Sequence, residues 1–396
     1  MTINFFKNTV FLIVLTVFSC GSSMEKVAPQ PKEIIVGAER FAEYEHLLQN
    51  KAVAIVGNQT SFLQAEDLHL VDFLLSKNIN VTKVFSPEHG FRGTADAGEH
   101  IKDGVDSKTG IPLISLYGNN KKPTREQLKD LDIVIFDIQD VGARFYTYIS
   151  TLHYVMEACA EAGIPVMVLD RPNPNGHYVD GPVLKEKHSS FIGMHPVPVV
   201  HGMTIGEYAG MINGEKWLKG KISCELIVIE MENYDHSMKY SLPIKPSPNL
   251  PNDKSINLYP TTCFFEGTYL NEGRGTHMQF QVFGAPDLPK DKYPFSYTPT
   301  SNEGAKSPKF KDRLCYGKDL RDTEEMDRLN LQWLIDAYHA SGKKREFFRS
   351  SFTLLAGSDE LQKQIENGLS AEEIRKTWEE GLNKYKEVRK KYLLYP

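Results

Sequence analysis

The sequence lacks most of the short signatures that announce common enzyme chemistries. There is no G-x-G-x-x-G and no P-loop, so a nucleotide cofactor has no glycine-rich cradle. G-x-S-x-G is missing, which leaves a serine hydrolase without its nucleophile elbow. H-E-x-x-H and C-x-x-C are missing as well, and with them the usual spacings of a zinc site. Basic clusters are also lacking: 46 lysines and arginines are spread among 51 acidic residues for a net charge of -5, so nothing draws nucleic acid to the chain. No apolar run reaches the ~20 residues that a membrane-spanning helix requires.

The short apolar run that does occur opens the chain. Lys7 precedes an apolar stretch over residues 10–18, and Ser19-Cys20-Gly21 follows where it stops. This reads as a signal peptide over residues 1–20, and Val17-Phe18-Ser19-Cys20 resembles a bacterial lipobox, with Cys20 as the lipidated residue. An ordinary signal peptide with a chance cysteine is the plainer alternative. Residues 21–32, with serines, Pro29 and Pro31, read as a flexible tether. The expected location is the bacterial cell envelope, lipid-anchored and facing either the periplasm or the exterior. Cys159, Cys224, Cys263 and Cys315 are too widely spaced for a metal knuckle, and Cys159 fits a buried thiol on a helix.

The 396 residues, 41% of them hydrophobic, can build more than one core, and two domains are expected. Near-continuous apolar runs at residues 52–56, 81–85, 112–116, 133–136 and 165–169 read as strands covered on both faces. Amphipathic stretches at 67–77 and 146–162 read as crossover helices, the second closed by Gly163. The fold class is therefore α/β: a Rossmann-like, mostly parallel sheet domain over residues 33–215, then a smaller α/β (α+β) domain over 216–396. A strand at 225–229 and a helix opened by the capping box Ser370-Ala371-Glu372-Glu373 belong to the second domain.

Ligands of open α/β sheets bind beyond the carboxyl ends of the strands. The residues at those positions are polar: Asn58 and Gln59, then Glu88, His89 and Arg92, then Tyr117, then Asp137, Asp140, Arg144, Tyr146 and Tyr148, then Asp170, Arg171 and Asn173. Carboxylates, amides, arginines and tyrosines along one edge suit a polyhydroxylated ligand. Each also has a plainer role. Asp137 or Asp140 could cap a helix, Arg144 could pair with them, Asn58 and Gln59 could satisfy a turn, and Asp170 could pair with Arg171. Glu88 sits between a proline and His-Gly, with no helix to cap. Glu88-His89, Asp96 and Glu99-His100 keep a metal-dependent hydrolase as an alternative, although their spacing is not diagnostic.

Gly57-Asn58-Gln59-Thr60-Ser61, Phe85-Ser86-Pro87-Glu88-His89-Gly90-Phe91-Arg92-Gly93 and the run Asp137-Ile138-Gln139-Asp140-Val141-Gly142-Ala143-Arg144-Phe145-Tyr146-Thr147-Tyr148 resemble the N-terminal signatures of the NamZ exo-β-N-acetylmuramidases. Leu169-Asp170-Arg171-Pro172-Asn173-Pro174, His201-Gly202-Met203-Thr204, Phe265-Glu266-Gly267-Thr268 and Gly273-Arg274-Gly275-Thr276 extend the likeness. The sequence departs from the usual family pattern at Tyr269, Asn271-Glu272 and His277-Met278-Gln279, which bears on fine substrate choice.

The resemblance implies an exo-acting glycoside hydrolase that takes N-acetylmuramic acid from the non-reducing ends of peptidoglycan fragments, in a cleft between two domains, with no cofactor. It aligns the family's proposed catalytic glutamate with Glu88. A second carboxylate would be Asp137, Asp140, Glu266 or Glu272, unless the sugar's own 2-acetamido group attacks. Arg92, Arg144, Arg171 or Arg274 could grip the lactyl carboxylate of muramic acid. The alternative from another class is a non-catalytic periplasmic glycan-binding lipoprotein.

Overall fold

A computed structural model describes residues 32–88, 90–91, 103–342 and 346–396. The signal segment, Cys20, the tether up to residue 31, His89, Arg92, Asp96, Glu99 and His100 lie outside the described residues.

The chain enters through α1 (Phe41–Leu48) and β1 (Val53–Gly57). A small hairpin of β2 (Phe62–Leu63) and β3 (Leu68–His69) follows, then α2 (Leu70–Ser76) and β4 (Val81–Ser86). Next come β5 (Gly104–Val105), β6 (Pro112–Ser115), α3 (Arg125–Leu128), β7 (Ile133–Asp137), α4 (Tyr148–Ala162), β8 (Val166–Leu169), α5 (Ile205–Gly214) and β9 (Leu226–Ile229). Together they form a seven-stranded sheet in the order β5-β6-β4-β1-β7-β8-β9. All neighbours in it pair in parallel except β5, which runs antiparallel to β6.

The five apolar runs form five of these strands, and their side chains explain why no polar alternation was visible. Val53 and Ile55 of β1, Ile133 and Ile135 of β7, and Met167 and Leu169 of β8 enter the core that includes α1 and α2. Ala54, Val56, Val134, Phe136, Val166 and Val168 enter the core on the other face, with α4 and α5. Both faces are dry, so both phases of the strand period are apolar. Each fully buried side chain of this size contributes roughly 1.5–3 kcal/mol.

Two boundaries differ from the sequence reading. The strand at Leu226–Ile229 is the edge of the main sheet, paired with β8 from Val166↔Leu226 to Leu169↔Ile229. α5 is its crossover helix, so the sheet domain continues past residue 215 and the smaller domain begins later. α2 starts at Leu70, three residues after Asp67, because Asp67 takes a positive φ of 52° in the β2–β3 turn and His69 caps the helix by accepting from the Val71 amide.

The smaller domain contains α6 (Asp253–Thr262), a 3-10 turn over Cys263–Gly267, and an antiparallel sheet β10-β12-β11 made from Val282–Ala285, Phe295–Tyr297 and Cys315–Asp319. Five helices close it: α7 (Leu331–Ala340), α8 (Phe352–Ala356), α9 (Glu360–Glu366), α10 (Ala371–Lys376) and α11 (Glu379–Arg389). The capping box at Ser370 and Glu373 is present, but the single helix expected there breaks at Thr377 and Trp378 into α10 and α11. Its stripe of Ile374, Trp378, Leu382 and Tyr385 is buried across the break. Phe264, Phe265 and Phe280 belong to the same core as Phe136, which joins the smaller domain to one face of the main sheet. Cys159, Cys224, Cys263 and Cys315 are all buried free thiols.

Candidate active site

A cavity of about 270 Å³ opens where the carboxyl ends of β4, β6 and β7 meet the smaller domain. Glu88, Tyr117, Thr147 and Tyr148 line it from the sheet side; Asn249, Tyr259, Glu266, Arg274 and Phe280 line it from the other. Much of the wall is aromatic, and charged and polar side chains are set among the rings, as suits a sugar with apolar faces and polar edges.

Glu88 reaches the cavity because β4 ends at Ser86 and Pro87 turns the chain, with the Gly90 amide donating to the Pro87 carbonyl at 3.1 Å. Its carboxyl is half-buried. The Tyr117 hydroxyl donates to Oε1 at 3.1 Å, and the Thr147 hydroxyl lies 3.4 Å from Oε2. Both contacts are hydroxyls, which accept as well as donate, so they can orient the group in either protonation state. Thr147 is also the N-cap residue of α4. Burial first, and then the nearby Glu88, push the Tyr148 phenol well above the ordinary tyrosine range.

Glu266 enters from the 3-10 turn that continues α6. Its Oε1 accepts from Arg274 Nε at 2.9 Å and from Nη2 at 2.6 Å. Behind it, Glu272 is buried, 3.4 Å from Arg274 Nε and 3.0 Å from Lys309 Nζ. Burial alone would weaken the Arg274 charge, but Glu266 and Glu272 outweigh it and hold the guanidinium more firmly protonated than usual. Its Cζ lies over the Phe280 ring, 5.2 Å from the centroid.

Of the residues that the sequence marked out, Glu88, Tyr117, Tyr146, Tyr148, Glu266 and Arg274 line this one cavity. The other described ones belong to the frame around it. Asn58 is fully buried; its Nδ2 donates to Tyr148 Oη at 2.8 Å and its Oδ1 accepts from the Thr60 amide at 2.9 Å. Gln59 donates to the carbonyls of Lys245 and Pro246, both at 3.2 Å, pinning the segment that carries Asn249. Asp137 pairs with Arg171 at 2.6 and 3.0 Å, both side chains buried, so Arg171 answers Asp137 and not its neighbour Asp170. Asp140 accepts from the Gly142 amide at 2.7 Å and caps a turn rather than a helix. Gly142 itself has φ 77°, and a Cβ there would fall 2.2 Å from the Asn173 amide. Asn173 donates to the Met203 carbonyl at 2.9 Å.

Arg144 departs furthest from expectation. It neither lines the cavity nor pairs with Asp137 or Asp140. Its guanidinium is fully enclosed and donates to the carbonyls of Pro182 at 2.7 Å, Val197 at 2.8 Å and Leu355 at 2.8 Å. Burial lowers its pKa to about 9. A cation committed to three backbone carbonyls inside the protein is a brace, not a substrate clamp. Glu272 lies behind Arg274 and is taken up by that guanidinium and by Lys309. Tyr146 and Tyr148 pack edge to face at 4.9 Å, with the Tyr146 hydroxyl on the Pro246 carbonyl at 2.9 Å. They are wall rather than an open stacking platform.

Thr147, Asn249, Tyr259 and Phe280 were not marked as site residues by the sequence reading. Tyr259 and Phe280 look like core aromatics in sequence, and Asn249 lies in a proline-rich run with no period to place it.

Among the described residues no three or more His, Cys, Asp and Glu side chains gather as a metal site. A Rossmann-like sheet without a nucleotide loop, with the two carboxyl groups of Glu88 and Glu266 in the wall of one aromatic cavity, fits the class of α/β glycoside hydrolases, whose reaction is commonly run by two carboxyl groups. Within that class the chain belongs to the NamZ exo-β-N-acetylmuramidase family: residues 53–254 match its N-terminal domain and residues 257–395 its C-terminal domain. It is 38% identical over 400 residues to the peptidoglycan beta-N-acetylmuramidase NamZ of Bacillus subtilis (strain 168), covering 94% of each chain. Crystal structures of two DUF1343 family proteins of Bacteroides fragilis NCTC 9343 share the fold. One has a TM-score of 0.85 at 47% identity, covering 92% of this chain and 99% of that one. The other has a TM-score of 0.77 at 30% identity with the same coverage.

Proposed function

We propose that this protein is an exo-acting glycoside hydrolase that releases N-acetylmuramic acid from the non-reducing ends of peptidoglycan fragments. The observation that carries the proposal is Glu88, half-buried at the wall of a cavity of about 270 Å³ and oriented by Tyr117 and Thr147. A space of that size suits a single substituted sugar. Glycosidic cleavage needs a proton on the leaving oxygen and stabilisation of an oxocarbenium-like centre. Glu88 supplies the proton as the C1–O bond breaks and takes one back from the attacking water, and the hydroxyls of Tyr117 and Thr147 keep its carboxyl aimed throughout.

The lipobox-like Val17-Phe18-Ser19-Cys20 supports a place in the cell envelope, with Cys20 carrying the lipid and residues 21–32 as the tether. The substrate would then be met as wall fragments during cell-wall recycling.

The deciding experiment is incubation of purified protein with a muramyl-glucosamine disaccharide and with nitrophenyl β-glycosides of N-acetylmuramic acid and N-acetylglucosamine. Release of free muramic acid, with little turnover of the glucosamine analogue, is the expected result. Binding without turnover would favour the glycan-binding lipoprotein. A rate lost to chelator and restored by zinc or manganese would favour the metal-dependent hydrolase.

A further inference from the structure

Besides Glu88, the only carboxylate that the described residues bring to the cavity wall is Glu266. Asp137 is consumed by Arg171, Asp140 faces the Gly142 amide, and Glu272 is buried between Arg274 and Lys309. The two oxygens of Glu266 differ in their surroundings. Oε1 takes two hydrogen bonds from one guanidinium, whereas Oε2 has the Cys263 thiol, a weak donor, at 3.7 Å.

That asymmetry limits what Glu266 can do. Oε1 is committed to the guanidinium of Arg274, which is itself held by Glu272, so only Oε2 is placed to meet a substrate. The same clamp draws electron density from the carboxylate and holds it in place, which weakens it as a nucleophile. What remains is an oriented carboxyl group with one oxygen available to accept a hydrogen bond.

We propose that Glu266 is a second catalytic residue, accepting the N–H of the sugar's 2-acetamido group through Oε2, and that Arg274 is its positioning residue. The inference rests on the function proposed above. In the first step the acetamido carbonyl oxygen attacks C1, the C1–O bond to the leaving sugar breaks, and that oxygen takes the proton of Glu88. The cyclic oxazolinium so formed carries its positive charge on the ring whose N–H faces Glu266. In the second step water attacks C1, its proton passes to Glu88, and the ring opens to N-acetylmuramic acid of retained configuration.

The test uses nitrophenyl β-N-acetylmuramide and its mono-, di- and trifluoroacetamido analogues, together with Glu266→Gln, Glu266→Ala and Arg274→Ala. In the wild type kcat/KM should fall steeply with each fluorine, because fluorine weakens the attacking carbonyl. Glu266→Gln should lose kcat on the order of 10²–10³-fold with an unchanged melting temperature. Arg274→Ala should lower kcat more than it raises KM, and guanidinium ion in the buffer should restore part of the rate, which it would not do for a residue of general structural importance. A flat response to fluorine in an active wild type overturns the inference and leaves the proposed function standing. An α-glycosyl azide from Glu266→Ala in azide buffer also overturns it, by making Glu266 the nucleophile. A wild type that releases no muramic acid from any substrate overturns the proposed function, and this inference with it.

Discussion

The Tyr117 hydroxyl donates to Glu88 Oε1 at 3.1 Å, tying the loop after β6 to the loop after β4 at the cavity wall. Tyr117→Phe removes this contact and leaves the ring in place. The expected result is a kcat loss on the order of tenfold, since a hydrogen bond contributes about 0.5–1.5 kcal/mol net and about 1.4 kcal/mol is a factor of ten in rate. Urea denaturation should show an almost unchanged midpoint. A tenfold rise in KM with kcat intact would instead mark Tyr117 as a substrate contact.

Arg144 should be a stability residue. Arg144→Ala takes the guanidinium from the carbonyls of Pro182 and Leu355 inside the protein, and leaves that of Val197 with the Leu184 amide alone. A loss of about 2–5 kcal/mol is expected, since each buried carbonyl left without a donor costs about 1–3 kcal/mol. The folded fraction should keep its KM, measured at low temperature where folding is complete. A raised KM with normal stability would return Arg144 to the substrate site.

Asp170 should make stability fall as pH rises. It is fully buried, accepts from Thr204 Oγ1 and Tyr395 Oη at 2.7 Å each, and burial raises its pKa to about 7, with Glu207 adding to the rise. A carboxyl raised in the folded state prefers its proton there, so its contribution is fully present below the unfolded value near 3.8 and fades as pH passes through about 7. The melting temperature of the wild type should therefore decline from about pH 3.8 to about pH 7 and level off above that. Asp170→Asn, whose amide can donate to either hydroxyl, should flatten this part of the profile. An identical slope in the variant would assign the dependence to other groups.

These residues also mark how far the sequence could be read. Apolar runs long enough to cover both sheet faces disclosed the parallel strands, and the position of Glu88 beyond one of them disclosed the site. Partners across the fold were not legible. Arg144 and Arg171 look alike in sequence, yet one meets three carbonyls and the other Asp137, because long-range packing decides which acceptor each finds. The strand at Leu226–Ile229 was visible, but its place beside β8 depends on the path of α5. Tyr259 and Phe280 became cavity wall only when the smaller domain packed on the sheet edge.

Cys20 should carry the membrane attachment. Cys20→Ala is expected to move the protein from the membrane fraction to the soluble fraction of the envelope, with specific activity on the chromogenic muramide unchanged. Retention of the variant in the membrane fraction would defeat the lipid-anchor proposal.

The last prediction concerns Glu88 and separates its role from its mere importance. Glu88→Gln keeps the shape of the side chain and can still meet the hydroxyls of Tyr117 and Thr147, but it has no proton to transfer. A general acid should then lose ~10²–10⁴-fold in turnover, with folding nearly untouched. The size of the loss should depend on the leaving group. Nitrophenolate departs with little need of a proton, whereas the glucosamine hydroxyl of a muramyl-glucosamine bond must be protonated as it leaves, so the variant should be impaired far more on the disaccharide. Added acetate or formate, which can carry the missing proton, should recover activity in Glu88→Ala on the disaccharide more than on the nitrophenyl glycoside. Equal losses on both substrates would make Glu88 a nucleophile or a positioning group, and full activity on the disaccharide would remove it from the mechanism.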